Sequence, residues 1–314
     1  MFCRSLLVLL FCLPLMTLAQ NASVWKTYKR DINFIVANDL GRNGYYDQKP
    51  IAELMGEMSG AIGTSCVVAP GDIHHFYGVR SVNDPLWTTN YELIYSHPDL
   101  MLPWYPALGN HEYRGNTQAV LDYTNVSRRW CMPARYYTKV LREGNVSLRL
   151  ILLDTSPMIN RYREESDVYP DACHQDVKAQ LDWLDTTLAN AQEDWVLVFG
   201  HHPVYADTPK SESERTDMQH TLLPVLHKYR NKVAMYICGH IHNFQHIRMK
   251  GDPIDYVVNT SASLSRPKVK AIEGTVFCSG ADGFSIVNVD KQHLTLRMID
   301  GKGQVIHTID RTRK

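Results

Sequence analysis

Five times along this chain, an apolar run of strand length ends in a small residue and then in a side chain that offers oxygen or imidazole nitrogen. Residues 65–70 run into Gly71-Asp72, residues 32–37 lead to Asp39, and Pro106-Ala107-Leu108 leads to Gly109-Asn110. Residues 195–199 run into Gly200-His201, and residues 233–238 into Gly239-His240-Ile241-His242. Uninterrupted apolar runs of this length read as strands buried on both faces. Such strands belong to α/β sheets, whose functional residues gather at the carboxyl ends of the strands. The repeated pattern therefore predicts strands that deliver Asp39, Asp72, Asn110, His201, His240 and His242 to one place.

The rest of the chain fits that frame. Residues 50–62 carry Ile51, Leu54, Met55, Met58 and Ile62 at helical spacing, and 175–192 carry Val177, Leu181, Leu184, Leu188 and Ala191 on one face. Shorter helices are expected over 116–123 and 221–229, and residues 82–95 read as a loop leading into another. Residues 147–154 read as a strand, and 160–172, charged and rich in tyrosine, as a surface loop at the mouth of the site. From residue 256 onward the pattern is all strand, with hairpin turns at 290–292 and 300–303. Alternating helices and strands followed by a meander predict an α/β fold of two packed mixed β-sheets flanked by helices. The first residues, with Arg4 ahead of an apolar stretch and small residues near Ala19, read as a secretory signal over 1–19, followed by a single domain over 20–314. This predicts a secreted or periplasmic protein with no stable membrane anchor after cleavage. The alternative, a membrane anchor, suits a run this short and broken by Pro14 less well.

Of seven cysteines, five follow the signal. Cys66 and Cys238 sit in strand-like runs and read as buried thiols, while Cys131 or Cys173 could pair with Cys278. The formal net charge is zero, so no basic footprint for nucleic acid or anionic membrane is present. Four triplets beginning at Asn21, Asn125, Asn145 and Asn259 match the glycosylation acceptor pattern, which short sequences often meet by chance.

Carboxylate, amide oxygen and imidazole together suit Zn, Mn or Fe better than Ca or Mg. Asp72 has two carboxylate oxygens and can bridge two cations, the arrangement of hydrolytic two-metal sites. His111 directly follows Asn110, so it is held near them, and an imidazole titrates where proton transfer is useful.

Five motifs, Asn38-Asp39-Leu40-Gly41, Gly71-Asp72, Gly109-Asn110-His111-Glu112, Gly200-His201-His202-Pro203 and Gly239-His240-Ile241-His242-Asn243, occur in one order, within a resemblance that runs from about Phe34 to Ile309. In this the chain resembles the calcineurin-like metallophosphoesterases, and within them the small purple acid phosphatases of the tartrate-resistant type. The resemblance implies one metal held by Asp39, Asp72 and His242 and a second held by Asp72, Asn110, His201 and His240. It implies a small phosphorylated substrate, phosphate monoester hydrolysis by metal-activated hydroxide, and catalytic roles for Asp72 and for His111, which also binds substrate. Phosphodiesterase or nucleotidase activity on the same scaffold is the alternative, and a non-catalytic binding protein is a further one that the intact ligand set argues against.

Two departures qualify the resemblance. The family's tyrosinate ligand is replaced by His75, which implies a protein that is not purple; ligation by a His75 nitrogen would favour divalent over ferric ions, and the alternative is that His75 or His74 only lines the pocket. Lys210 stands where mammalian-type enzymes carry a histidine. Lys210 and His202 are candidates for substrate binding, with an exposed lysine and a pocket-wall histidine as the alternatives.

Overall fold

The computed structural model describes residues 22–208 and 212–313. The expected signal over 1–19 lies outside the described residues, as do Asn21 and Lys210. In chain order the first strands are β1 (Ile32–Val36), β2 (Cys66–Pro70), β3 (Trp104–Ala107), β4 (Tyr137–Glu143), β5 (Val146–Leu152), β6 (Trp195–Phe199) and β7 (Val233–Cys238). They are followed by β8 (Phe244–Ile247), β9 (Asp255–Val258), β10 (Thr275–Ser279), β11 (Gly283–Val289), β12 (His293–Asp300) and β13 (Val305–Thr312). The α-helices that concern the core and the site are α1 (Gln48–Ile62), α2 (Thr117–Asp122), α3 (Asn160–Glu164), α4 (Val177–Asn190), α5 (Glu212–Thr221) and α6 (Leu223–Lys228).

Two mixed sheets result, with strand orders β13-β12-β11-β1-β2-β3 and β10-β8-β9-β7-β6-β5-β4. In the first, β1, β2 and β3 are parallel and β11 pairs antiparallel with β1. In the second, β5, β6, β7 and β9 are parallel. Every residue of β1, β2, β3, β6 and β7 is buried, as their unbroken apolar runs require of central strands. The sheets pack face to face with helices outside, the expected α/β sandwich. An isolated parallel bridge between Asn38 and Ser261 ties the end of one sheet to the end of the other.

The periodic helices fall where the pattern puts them. α1 buries Ile51, Met55, Met58 and Ile62, and it stops at Gly63, whose φ of 66° suits a residue without Cβ. Asn116 and Asp176 cap α2 and α4 by accepting the backbone N–H of Ala119 and of Ala179. Residues 82–95 form a short π-helical turn, Trp87–Glu92, whose rings pack with Tyr123 and Trp130.

Two expectations need correction. Residues 160–172 are not a surface loop throughout. They contain α3, and Tyr162 and Tyr169 are each only 1% exposed, because tyrosine rings there fill the wall of a cavity. Neither Cys131 nor Cys173 is paired with Cys278, and all five described cysteines are free, with Cys66 and Cys238 buried as expected. Asn259 is fully buried, which removes it as a glycan acceptor. No helix among the described residues is long and apolar enough to cross a membrane.

Candidate metal centre

The loops that leave β1, β2, β3, β6 and β7 converge. Four of the residues they deliver have left-handed backbone: Asp39 (φ 53°), Asp72 (55°), His240 (70°) and His242 (63°). Asp and His tolerate this region better than most residues, but each still costs roughly 1–3 kcal/mol, which the surrounding contacts must supply. The glycines allow the loops to close on one another. A Cβ on Gly109 would lie 2.2 Å from Asp72 Oδ1, and one on Gly71 would lie 2.5 Å from His201 Nδ1.

Side chains then assemble into overlapping clusters. Ligand atoms of Asp39, His75 and His242 lie within 4.8 Å of one another, as do those of Asp39, Asp72 and His201. The same holds for Asp72, His75 and His111, and for His201, His202 and His240. Asp72 Oδ2 is the hub, 3.1 Å from His201 Nε2, 3.5 Å from His75 Nε2 and 3.8 Å from His111 Nε2.

Three of the imidazoles are turned by their outer nitrogens. His201 Nδ1 donates to the Pro70 carbonyl at 2.9 Å, and His242 Nδ1 to the Leu264 carbonyl at 2.7 Å. His240 Nε2 lies 2.9 Å from Glu214 Oε2, which accepts its proton. The opposite nitrogens face inward: His242 Nε2 is 3.1 Å from Asp39 Oδ1, and His240 Nδ1 is 3.2 Å from His201 Nε2. This pattern, one nitrogen fixed by an outer acceptor and the other aimed at a shared centre, is how proteins orient metal-binding histidines. Outer oxygens steady the carboxylate loops as well. Ser261 and Ser263 each donate to the Asp39 carbonyl at 2.8 Å. Glu112, fully buried, accepts the backbone N–H groups of Asp72, His74 and Gly109 at 2.8, 3.0 and 2.8 Å.

The donor set fits a pair of cations. Asp39 Oδ1, both nitrogens of His75 and Asn110 Oδ1 are buried and make no hydrogen bond to any described residue. Orphaned polar atoms of this kind are costly in a folded protein unless something else satisfies them. Electrostatics agree. Burial pushes the Asp39 and Asp72 carboxyls up, yet both are held well below the usual carboxylate range, Asp39 by His242 and Asp72 by His201 and His111. Burial also opposes charge on His201, but the Asp72 carboxylate pulls it up to about 9. Buried carboxylates that draw positive charge so strongly match a cation site.

A cavity of about 320 Å³ opens over the cluster, lined by His75, Asn110, His111, His240 and His242. His111 Nδ1 donates to the Phe76 carbonyl at 2.7 Å, leaving Nε2 toward the cavity. Arg42, Arg114, Arg161 and Arg266 also line it, with Tyr162 and Tyr169. His202 does not line it: its Nδ1 is 2.9 Å from Thr155 Oγ1, and its ring lies behind His240 with centroids 4.4 Å apart. Sequence reasoning thus brought eight side chains to one centre and passed over Glu112 as a strap, Glu214 and the arginines. Glu214 sits in a polar stretch without periodicity, so nothing local marked it.

Strands, loops and cluster together define a metallophosphoesterase, and comparison with known proteins agrees. The family model described as calcineurin-like phosphoesterase matches residues 32–244, and the chain belongs to that family. It is 30% identical to human tartrate-resistant acid phosphatase type 5 over 77% of this chain and 78% of that protein. It is 28% identical to purple acid phosphatase 4 of Arabidopsis thaliana over 98% of this chain and 93% of that one. Among solved structures, the Plasmodium protein GAP50, described as the anchor in the inner membrane complex, aligns with a TM-score of 0.74 at 23% identity, covering 90% of this chain and 89% of that one. A dimetal phosphatase from Danio rerio aligns with a TM-score of 0.59 at 15% identity, covering 91% and 100%. At these identities the two structures establish the fold alone. The family's activity is hydrolytic and its substrates are phosphorylated.

Proposed function

We propose that the protein is an extracytoplasmic phosphomonoesterase with two metal ions, one held by Asp39, Asp72, His75 and His242 and the other by Asp72, Asn110, His201 and His240. The observation that carries this reading is the Asp72 carboxylate at the junction of two buried ligand clusters, under a cavity rimmed by arginine. Bound there, Fe, Zn or Mn would polarise the phosphoryl oxygens and activate water for in-line attack.

The protein's own residues do the rest. Asp72 holds the two halves of the site in register. The Glu112 carboxylate ties the Asp72 loop to the Asn110 loop, so the two move as one. Glu214 fixes the tautomer of His240. His111, with Nδ1 anchored and Nε2 toward the cavity, would donate from Nε2 to the departing alkoxide oxygen when the ring carries both protons, a form that burial disfavours. The arginines compensate the charge of a phosphate dianion. The family tyrosinate is absent at position 75, so the ligand set carries one negative charge fewer, which favours a divalent ion there.

The test is hydrolysis of p-nitrophenyl phosphate by the metal-stripped chain reconstituted with Zn, Mn or Fe in turn, alongside bis-p-nitrophenyl phosphate. Metal-dependent turnover of the monoester in preference to the diester supports the reading. Preference for the diester would reassign the protein as a phosphodiesterase.

A further inference from the structure

One buried cation at this site makes no ion pair among the described residues. Arg42 lies three residues after Asp39 and is only 8% exposed, yet its Nε and Nη1 make no hydrogen bond to any described residue. Arg129, buried to the same 8%, shows how the fold treats a structural arginine: it donates to the Tyr95 and Leu100 carbonyls and to the Glu92 carboxylate.

The backbone under Arg42 is held firmly. Gln48, fully buried, accepts the N–H groups of Arg42 and Gly44 at 3.0 and 2.7 Å and donates to the Asn90 carbonyl at 3.0 Å. The guanidinium stacks on Phe76, with Cζ 4.6 Å from the ring centroid, and lines the cavity beside His75 and His242. Its nearest negative groups are Asp39 and Asp72, both turned toward imidazoles. Burial disfavours its charge and lowers its pKa. A guanidinium fixed at its base, desolvated, and with Nε and Nη1 unpaired on the wall of a cavity is suited to an anion that enters.

We propose that Arg42 is a substrate-binding residue that takes an anionic oxygen of the bound phosphate ester. This rests on the phosphatase reading for the identity of the anion. With cations on Asp39 and Asp72, those carboxylates no longer serve Arg42, and the entering phosphate is its partner. The arrangement trades stability for binding: without a ligand, two buried guanidinium nitrogens lack an acceptor that the ligand supplies.

The experiment uses the full metal-loaded protein with inorganic phosphate as the probe, titrated calorimetrically at fixed pH and ionic strength, for wild type, Arg42→Gln, Arg42→Met and Arg42→Lys. Metal content and Tm without phosphate are measured on each. Loss of a charge-assisted, bidentate contact is expected to weaken phosphate binding at least about tenfold in Arg42→Gln with metal content unchanged, and less in Arg42→Lys. The KM for p-nitrophenyl phosphate should rise in parallel. Arg42→Met should raise the Tm of the phosphate-free protein, the opposite of what loss of a structural arginine does. Unchanged phosphate affinity in Arg42→Gln, a wild type that binds no phosphate, or a lowered Tm with unchanged affinity would each overturn the proposal. Should Arg42→Gln not fold, Arg42→Lys with wild-type phosphate affinity and KM would overturn it too, because lysine keeps the charge and loses the fork. Phosphate binding that depends on Arg42 in a protein that hydrolyses no monoester would leave this inference standing and refute the phosphatase reading.

Discussion

Replacing Glu112 by Gln is the sharpest test of how the two halves of the site are joined. The substitution changes almost no volume, so no cavity term enters. Glu112 Oε2 accepts from Asp72 N and Gly109 N, and Oε1 from His74 N. An amide can present its oxygen to the first pair, but its NH₂ then faces the His74 N–H, donor against donor. One charge-assisted bond worth about 1.5–3 kcal/mol is lost, and the orphaned buried N–H costs about 1–3 kcal/mol more. A gain opposes this. Burial, and after it the Asp72 charge, pushes the Glu112 carboxyl up to about 7, so removing its charge relieves strain at alkaline pH. The net expectation is a loss of about 2 kcal/mol in urea denaturation, on the scale of one buried hydrogen-bond defect. Because the strap sets the Asp72 and Asn110 loops, metal affinity by chelator competition should fall about 10- to 100-fold. Wild-type stability together with wild-type metal affinity would refute the strap.

Three further outcomes are expected. Glu214→Gln should lower metal affinity about tenfold, since the amide holds the His240 tautomer less firmly, and unchanged affinity would remove Glu214 from the site's outer shell. Asp282, half-buried and hydrogen-bonded to Asp47, is raised to about 6 by burial and then by Asp47, so the folded state holds its proton more tightly than the unfolded state. The stability it gives is present below the unfolded value near 3.8 and is lost as pH rises through about 6; Asp282→Asn should therefore raise Tm at pH 7.5 and leave it nearly unchanged at pH 4, and an equal shift at both would contradict the assignment. The iron-loaded protein should lack the visible band of a metal–tyrosinate, and a purple protein would contradict the reading of His75.

The site was legible in the sequence because glycine leaves a signature. Each ligand loop needs close backbone approach, and Gly71 and Gly109 supply it where an apolar run stops. The central strands were legible because they are buried on both faces. β4 and β10, the edges of the second sheet, were not: their residues are mostly half-exposed, so no apolar run marks them. α5 was missed because its residues are almost all polar, burying only Glu214 and Met218. The roles of Glu112, Glu214 and Arg42 were not legible for one physical reason. Their roles are set by partners brought together by the fold, such as Glu214 and His240, 26 positions apart, and no local pattern encodes those.

The most direct measurement is anomalous diffraction from crystals of the Zn- or Mn-loaded protein. The account expects two metal peaks per chain, one among Asp39, His75 and His242 and one among Asn110, His201 and His240, with Asp72 touching both. A single peak, or peaks that Asp72 does not bridge, would contradict it.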